Sequence, residues 1–156
     1  MPMAQTHCLA RARAPATPPY RETAMMQPAR HQRLDNRSSG ISIGHRDTDN
    51  VIRDNDVLRS GKDGVLFRPE RGKAFAGHRN RLDGNRVHDS GAETGIAIDV
   101  QGETESITLV NNQLRETRQP MRRVGVRLGA GTRDIRLTDN RIEGFAMAVE
   151  DLRKNR

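Results

Sequence analysis

The feature that most constrains this chain is a repeat that begins at Gly40. Four segments open alike: Gly40-Ile41-Ser42-Ile43, Gly64-Val65-Leu66-Phe67, Gly95-Ile96-Ala97-Ile98 and Gly125-Val126-Arg127-Leu128. The common form is glycine, an aliphatic residue, any residue, then a large apolar residue. Each opening is followed by a second signal centred on Asn55, Asn85, Asn112 or Asn140, with an aliphatic residue three places before the asparagine and two places after it. The glycine steps are 24, 31 and 30 residues and the asparagine steps 30, 27 and 28. A partial fifth unit starts at Ala146-Met147-Ala148-Val149. Self-similarity at a period of 20–50 residues marks a solenoid, whose units bury their apolar faces by stacking on one another.

The local pattern selects the kind of solenoid. Within each unit the apolar residues alternate in twos over short stretches rich in β-branched and aliphatic side chains, which is the pattern of strands. No helical stripe of ten residues separates them, which argues against a doubly wound α/β sheet. The expectation is an all-β fold, a parallel β-helix of about four coils over residues 40–152, ending in a charged stretch at 153–156. Residues one and three after each glycine should point inward, and residues two and four outward. The four glycines, placed where a turn enters the first strand, are candidates for a positive φ. The asparagines have a reason of their own. At a corner between strands, each amide can stack on the asparagine of the next coil at the ordinary strand spacing of about 4.8 Å. Solvent-facing turn residues would be the alternative, but the fixed aliphatic neighbours on both sides favour a buried ladder.

These openings and asparagine signals resemble the right-handed parallel β-helix repeat family, the fold of pectate lyases, polygalacturonases, alginate epimerases and phage tailspikes. The resemblance covers residues 40–152 and its motifs specify the fold rather than a reaction. It implies a right-handed coil with three strands per turn, in line with the general handedness of parallel crossovers, and a role in handling polysaccharides. Many proteins of that fold are secreted or on the cell surface.

Outside the repeat the composition changes. Five of the seven prolines lie in the first 28 residues, and all 14 glycines lie between Gly40 and Gly144. Residues 1–39 show no trustworthy period and read as an irregular or disordered, basic, Pro-rich tail, either native or the product of a misplaced start. Arginines interrupt its only apolar stretch at Leu9–Arg13, so it lacks the form of a secretory signal. The single cysteine, Cys8, excludes an internal disulfide. No apolar run reaches the ~18–20 residues of a spanning helix, and no membrane role is expected. The net charge of +7 permits nucleic-acid binding. After residue 40, however, 21 basic residues are interleaved with 18 acids, the pattern of a solvated surface.

Candidate chemistry follows from the columns. With the glycines aligned, Arg68 and Asp99 become outward neighbours on adjacent coils, with Arg127 one coil further on. Such a set is a candidate catalytic group acting on an acidic sugar, the Asp as base and an Arg as carboxylate fork. The plainer reading is an exposed ion pair worth at most about 1 kcal/mol. Two longer loops are basic and suit an acidic polymer: one carries Arg68, Arg71 and Lys73, the other Arg118, Arg122 and Arg123. Insertions in solenoids often map to the binding face. No set of metal ligands is found: Asp47-Thr48-Asp49-Asn50 lacks the rest of a calcium loop, and His78 and His88 have no partner ligands beside them. No cofactor motif is complete. The Asp-Pro-His stretch of the alginate epimerases, the paired Asp of the polygalacturonases and the calcium cluster of the pectate lyases are all missing.

The leading expectation is therefore a β-helix repeat protein, a piece of a longer one, that binds carbohydrate or serves as a structural surface. The alternatives are an enzyme that cleaves or epimerises acidic polysaccharide (a lyase, hydrolase or epimerase) and a basic nucleic-acid binder. Acidic polysaccharide is the expected partner. No helix fit to cover the first coil precedes Gly40, so an exposed apolar end near Ile41 and Ile43 and self-association through it are also expected.

Overall fold

The computed structural model describes residues 32–34, 36–118 and 122–153. Most of the tail (with Cys8), three residues of the second basic loop and the last three residues lie outside the described residues. Among the described residues, fourteen short strands wind into three parallel sheets. The first contains β2 (Ile41–Ile43), β5 (Val65–Phe67), β8 (Ile96–Val100), β11 (Val124–Leu128) and β14 (Met147–Asp151). The second contains β3 (Val51–Arg53), β6 (Arg81–Asp83), β9 (Glu105–Val110) and β12 (Arg133–Thr138). The third contains β1 (Gln32–Leu34), β4 (Asp56–Leu58), β7 (Arg86–His88), β10 (Gln113–Arg115) and β13 (Arg141–Glu143). The chain visits the sheets in turn, so successive coils stack as a parallel β-solenoid of about four turns. One 3₁₀ turn at Lys73–Phe75 is the only helical element among the described residues. Part of the segment expected to be irregular is ordered here: Gln32–Leu34 pairs with Asp56–Leu58, so strand structure begins before Gly40.

Inward-pointing residues form vertical columns, because parallel pairing in register places like positions one strand spacing apart. Ile52, Leu82, Leu109 and Leu137 line the second sheet, and Val57, Val87, Leu114 and Ile142 line the third. These are the aliphatic positions that flank each asparagine. The first sheet adds Ile41, Val65, Ile98 and Val126, then Ile43, Phe67, Val100 and Leu128. All but the last members of the second and third sheets, Leu137 and Ile142, are buried in one continuous core. Each fully buried aliphatic side chain contributes about 1.5–3 kcal/mol.

The ladder expected at the asparagines is present at the corner between the second and third sheets. Asn55 donates its backbone N–H and its Nδ2 to Asn85 Oδ1, at 3.1 and 3.0 Å. Asn85 does the same to Asn112, and Asn112 to Asn140. Nδ2 of Asn85, Asn112 and Asn140 also donates back to the carbonyls of Ile52, Leu82 and Leu109. A buried amide is thereby satisfied on both sides, which removes the penalty of desolvating it. The residue before each asparagine (Asp54, Gly84, Asn111 and Asp139) has φ of 55°, 66°, 54° and 52°. Gly, Asn and Asp are the residues that tolerate this left-handed conformation. A second, shorter ladder joins Asn50 to Asn80 in the same geometry.

The third opening is misplaced in the sequence reading. Val65 pairs with Ile98, not Ile96, and Val126 also pairs with Ile98. The residue in line with Gly64 and Gly125 is therefore Ala97, which is 1% exposed rather than outward. With that shift, the distance from the small residue to the asparagine is 15 residues in the first, third and fourth coils. Only the second coil is longer, through its insertion. The reason for a small residue also changes. Gly40, Gly64 and Gly125 do not have positive φ. They are small because a Cβ on Gly64 would lie 2.5 Å from the Ala97 carbonyl oxygen, and one on Gly125 2.6 Å from that of Ala148. Gly95, displaced from the column, has φ of 76°.

Candidate binding cleft

The register shift rearranges the outward columns that carry the candidate residues. The column two places after the small residue is Ser42, Leu66, Asp99, Arg127 and Glu150. Asp99 and Arg127 are direct partners on adjacent strands, and Arg68 is not in their column. Arg127 Nε donates to Asp99 Oδ1 at 3.1 Å and Nη2 donates to Oδ2, while Gln101 Nε2 donates to the same carboxylate. Asp99 is 0% exposed. Its oxygens are committed and sealed from solvent, the arrangement of a structural ion pair. Arg68 reaches the other way, donating to Glu70 Oε1 at 2.9 Å and to Ser42 Oγ at 3.2 Å.

The two basic loops lie at opposite ends of the first-sheet strands and differ in how much charge they leave available. In the loop after β10, the buried Glu116 accepts from Arg118 at 3.0 Å and lies 3.5 Å from Arg123. Arg118 and Arg123 also donate to the carbonyls of Ser90 and Gly91. Their guanidinium groups fasten the loop to the neighbouring coil. Arg122 is exposed on the rim of that loop.

The loop after β5 is built differently. Gly72 and the 3₁₀ turn Lys73–Phe75 carry Phe75 back over the preceding coil, where the Arg46 N–H donates to the Phe75 carbonyl at 2.9 Å. The Arg46 and Arg71 guanidinium carbons lie 4.8 and 5.4 Å from the Phe75 ring centre, and the His45 ring is stacked at 6.3 Å. A cation near an aromatic face is attracted by the ring quadrupole, by about 0.5–1 kcal/mol at an exposed site. Both arginines remain exposed and Phe75 is half-buried. His45 and Arg46 have φ of 52° and 70°, so this turn is held in a left-handed conformation that non-glycine residues seldom adopt. His78 anchors the loop from below. Its Nε2 lies 2.6 Å from the Lys73 carbonyl, and its Nδ1 accepts from the Glu105 N–H at 3.3 Å. These contacts fit one neutral tautomer with a structural task.

From Lys73 the same corner, between the first and second sheets, opens into a cleft of about 960 Å³. Lys73, Glu103, Glu105, Arg133, Asp134 and Arg153 are among its walls. Lys73 pairs with Glu105 at 2.9 Å, and Arg153 pairs with Asp151. These bonds hold the carboxyls of Glu105 and Asp151 below the usual carboxylate range, each chiefly through the hydrogen bond from its basic partner. Both are thus poor proton donors near neutral pH. The carboxyl of Asp63, which is buried on the other side of the first sheet, is pushed upward. Burial is the main cause; a hydrogen bond from Thr94 opposes it and the charge of Asp99 adds to it. Among the described residues no group of three or more His, Cys, Asp or Glu side chains is arranged to hold a metal ion.

The sequence reading found Arg71 and Lys73 but missed Arg46, His45 and Phe75. Their relation depends on an insertion that folds back across a coil, which no repeat position signals. A lone phenylalanine inside a basic insertion, outside every core column, was the available clue. Compared with protein-family models, curated proteins and solved structures, the chain gives no match to any of the three.

Proposed function

We propose that this β-solenoid is a non-catalytic binding module for a saccharide that carries a carboxylate, held along the corner between the first and second sheets. The observation that carries this reading is Phe75 with the exposed Arg46 and Arg71 beside it, at one end of an open polar cleft. A sugar ring stacks on Phe75, and the two guanidinium groups take its carboxylate by charge-assisted hydrogen bonds. Neighbouring sugars lie toward Lys73, where Glu103, Glu105 and Arg133 accept from and donate to hydroxyl groups. Glu103 and Asp134 repel further negative charge, so a saccharide in which acidic and neutral units alternate fits better than a uniformly acidic one.

Catalysis is the weaker reading because Asp99 is closed to solvent and the cleft carboxyls Glu105 and Asp151 are shifted away from proton donation. Calorimetric titration with acidic oligosaccharides, followed by analysis of their length and stereochemistry, tests the proposal. Binding that is abolished in the Arg46→Ala/Arg71→Ala double variant, with the sugar recovered unchanged, supports it. Turnover of the sugar, or binding that survives both substitutions, overturns it.

A further inference from the structure

Ile41 and Ile43, expected at an exposed apolar end, are 7% and 1% exposed. What the first two coils do present is a turn tied down by one buried, titratable ring. His78 is 8% exposed and both of its ring nitrogens are engaged. Its Nε2 meets the Lys73 carbonyl, which also accepts from the Ala76 N–H and so closes the 3₁₀ turn. Its Nδ1 accepts from the Glu105 N–H on β9. A neutral ring protonated at Nε2 is the form that makes both bonds. The backbone at this point is pinned. The His78 carbonyl accepts from the Asp49 N–H at 3.1 Å, and the Arg79 N–H donates to the Glu105 carbonyl at 3.1 Å. The ring is therefore the part that can change partners.

We infer that His78 is a positioning residue whose charge sets the place of Phe75, docking the aromatic turn when the ring is neutral and releasing it when the ring is protonated. A proton added at Nδ1 sets the N–H groups of His78 and Glu105 head to head, so the ring must give up at least one of its two bonds. The charged groups around it show where it goes. Lys73 and Glu105 form an ion pair at 2.9 Å, and Arg133 is paired with Glu105 in register on β12. Asp49 is held by two hydrogen bonds from Arg79, and Asp47 accepts from the Gly44 N–H. A cationic ring competes with the Lys73 ammonium for the Glu105 carboxylate. The turn then loses its tie through the Lys73 carbonyl or its tie through the Lys73 side chain. What this device regulates rests on the saccharide reading: with Phe75 displaced, Arg46 and Arg71 lose the ring that gathers them. An imidazole ordinarily changes charge between about pH 5 and 8, whereas a sugar carboxylate, like other carboxylates, stays ionised above about pH 5. Loss of binding across this range therefore reports on the protein and not on the sugar. His45, exposed and stacked on Phe75, is the second titratable ring at the site and needs its own control.

Nitrogen-15 NMR of the full chain from about pH 8 to about pH 5 follows the ring and the turn together. The expected result is a His78 ring protonated at Nε2 alone at the upper end, which gains its second proton as the hydrogen-exchange protection of the Arg46 amide, bonded to the Phe75 carbonyl, falls by about tenfold or more. His78→Gln, which keeps a neutral donor for Lys73, abolishes this step, and His45→Gln retains it. In calorimetry with an acidic oligosaccharide, the unaltered chain binds about tenfold more weakly at about pH 5.5 than at about pH 7.5, and His78→Gln binds alike at both. A ring still neutral at the lowest pH, a ring that charges with no change at Arg46, or a step that survives in His78→Gln overturns the inference. A step in exchange with no sugar bound at either pH upholds the positioning role and overturns the saccharide reading. Sugar bound equally at both pH values upholds that reading and overturns the inference.

Discussion

The two corners that flank the second sheet are built on opposite plans. At the corner toward the third sheet, every coil makes the same bend with one left-handed residue and one asparagine, and each amide bonds to the next. At the corner toward the first sheet only the Asn50–Asn80 pair repeats, across the first two coils, and the rest of the bend differs in every coil: one carries the strained His45–Arg46 pair, the next a 3₁₀ turn, and the later two short turns around Gly102 and Gly129–Gly131. Where coils must stack on one another, any departure from the common geometry is felt by both neighbours. Where a bend faces solvent, length and composition are free to vary, and the half-buried Phe75, the exposed Arg46 and Arg71 and the cleft all collect there. Repetition marks the part that holds the solenoid together, and irregularity gathers the groups on which the proposed binding rests.

The sharpest way to break this contrast is to insert volume into a stacked column. Gly64→Val places side-chain carbon against the Ala97 carbonyl oxygen and Val87 Cγ1, neither of which has room to retreat. A loss of about 3 kcal/mol or more is expected by urea unfolding, at the upper end for overpacking. Asn112→Ala comes next. It removes the acceptor of two Asn85 donors and the donor to Asn140, and should cost about 1–3 kcal/mol. A change of a few tenths would mean that the amides are replaced by water without penalty.

Phe75→Ala lies on the irregular side. Although it deletes one of only three phenylalanines, it should cost less than about 1 kcal/mol in the same assay, the range of surface substitutions. The comparison would fail if this variant proved less stable than Asn112→Ala. The smallest effect has the opposite sign. Burial raises the Asp63 carboxyl above 3.8, so the native state holds its proton to a higher pH than the unfolded chain does. Its favourable contribution is present below pH 3.8 and is lost as pH rises through the raised native value. Asp63→Asn keeps an acceptor for Thr94 without the charge. It should melt above the unaltered chain at pH 7 and show no advantage near pH 3, a difference that thermal melts at the two pH values measure.

The stacked side was largely legible in the sequence. Aliphatic residues at fixed offsets from Asn55, Asn85, Asn112 and Asn140 proved to be core columns, and the asparagines proved to be a ladder. The error in the third coil came from weighting glycine as a residue type over small size as a physical requirement. Gly95 matched the pattern by letter, whereas Ala97 met the need for a short side chain beneath a carbonyl. The constant 15-residue spacing to the asparagine was the signal that distinguishes them. The ladder from Asn50 to Asn80 was equally visible, at the same 30-residue step as Asn55 to Asn85, but it stops after two coils. The irregular side was barely legible. Arg46 and Phe75 are 29 residues apart and meet only because an insertion folds back across a coil.

The ladder also determines how the molecule would respond to mechanical load. Every bond that joins one coil to the next runs along the solenoid axis, and each coil touches only its neighbours. A pull applied between Gln32 and Arg153 therefore does not shear a whole sheet at once. It loads one coil's amide and backbone bonds at a time, beginning at an end. Each release frees a coil of about 28 residues, or about 95 Å of extended chain. The protein would yield under tension as a ratchet with even teeth, with the asparagine column setting the height of each tooth.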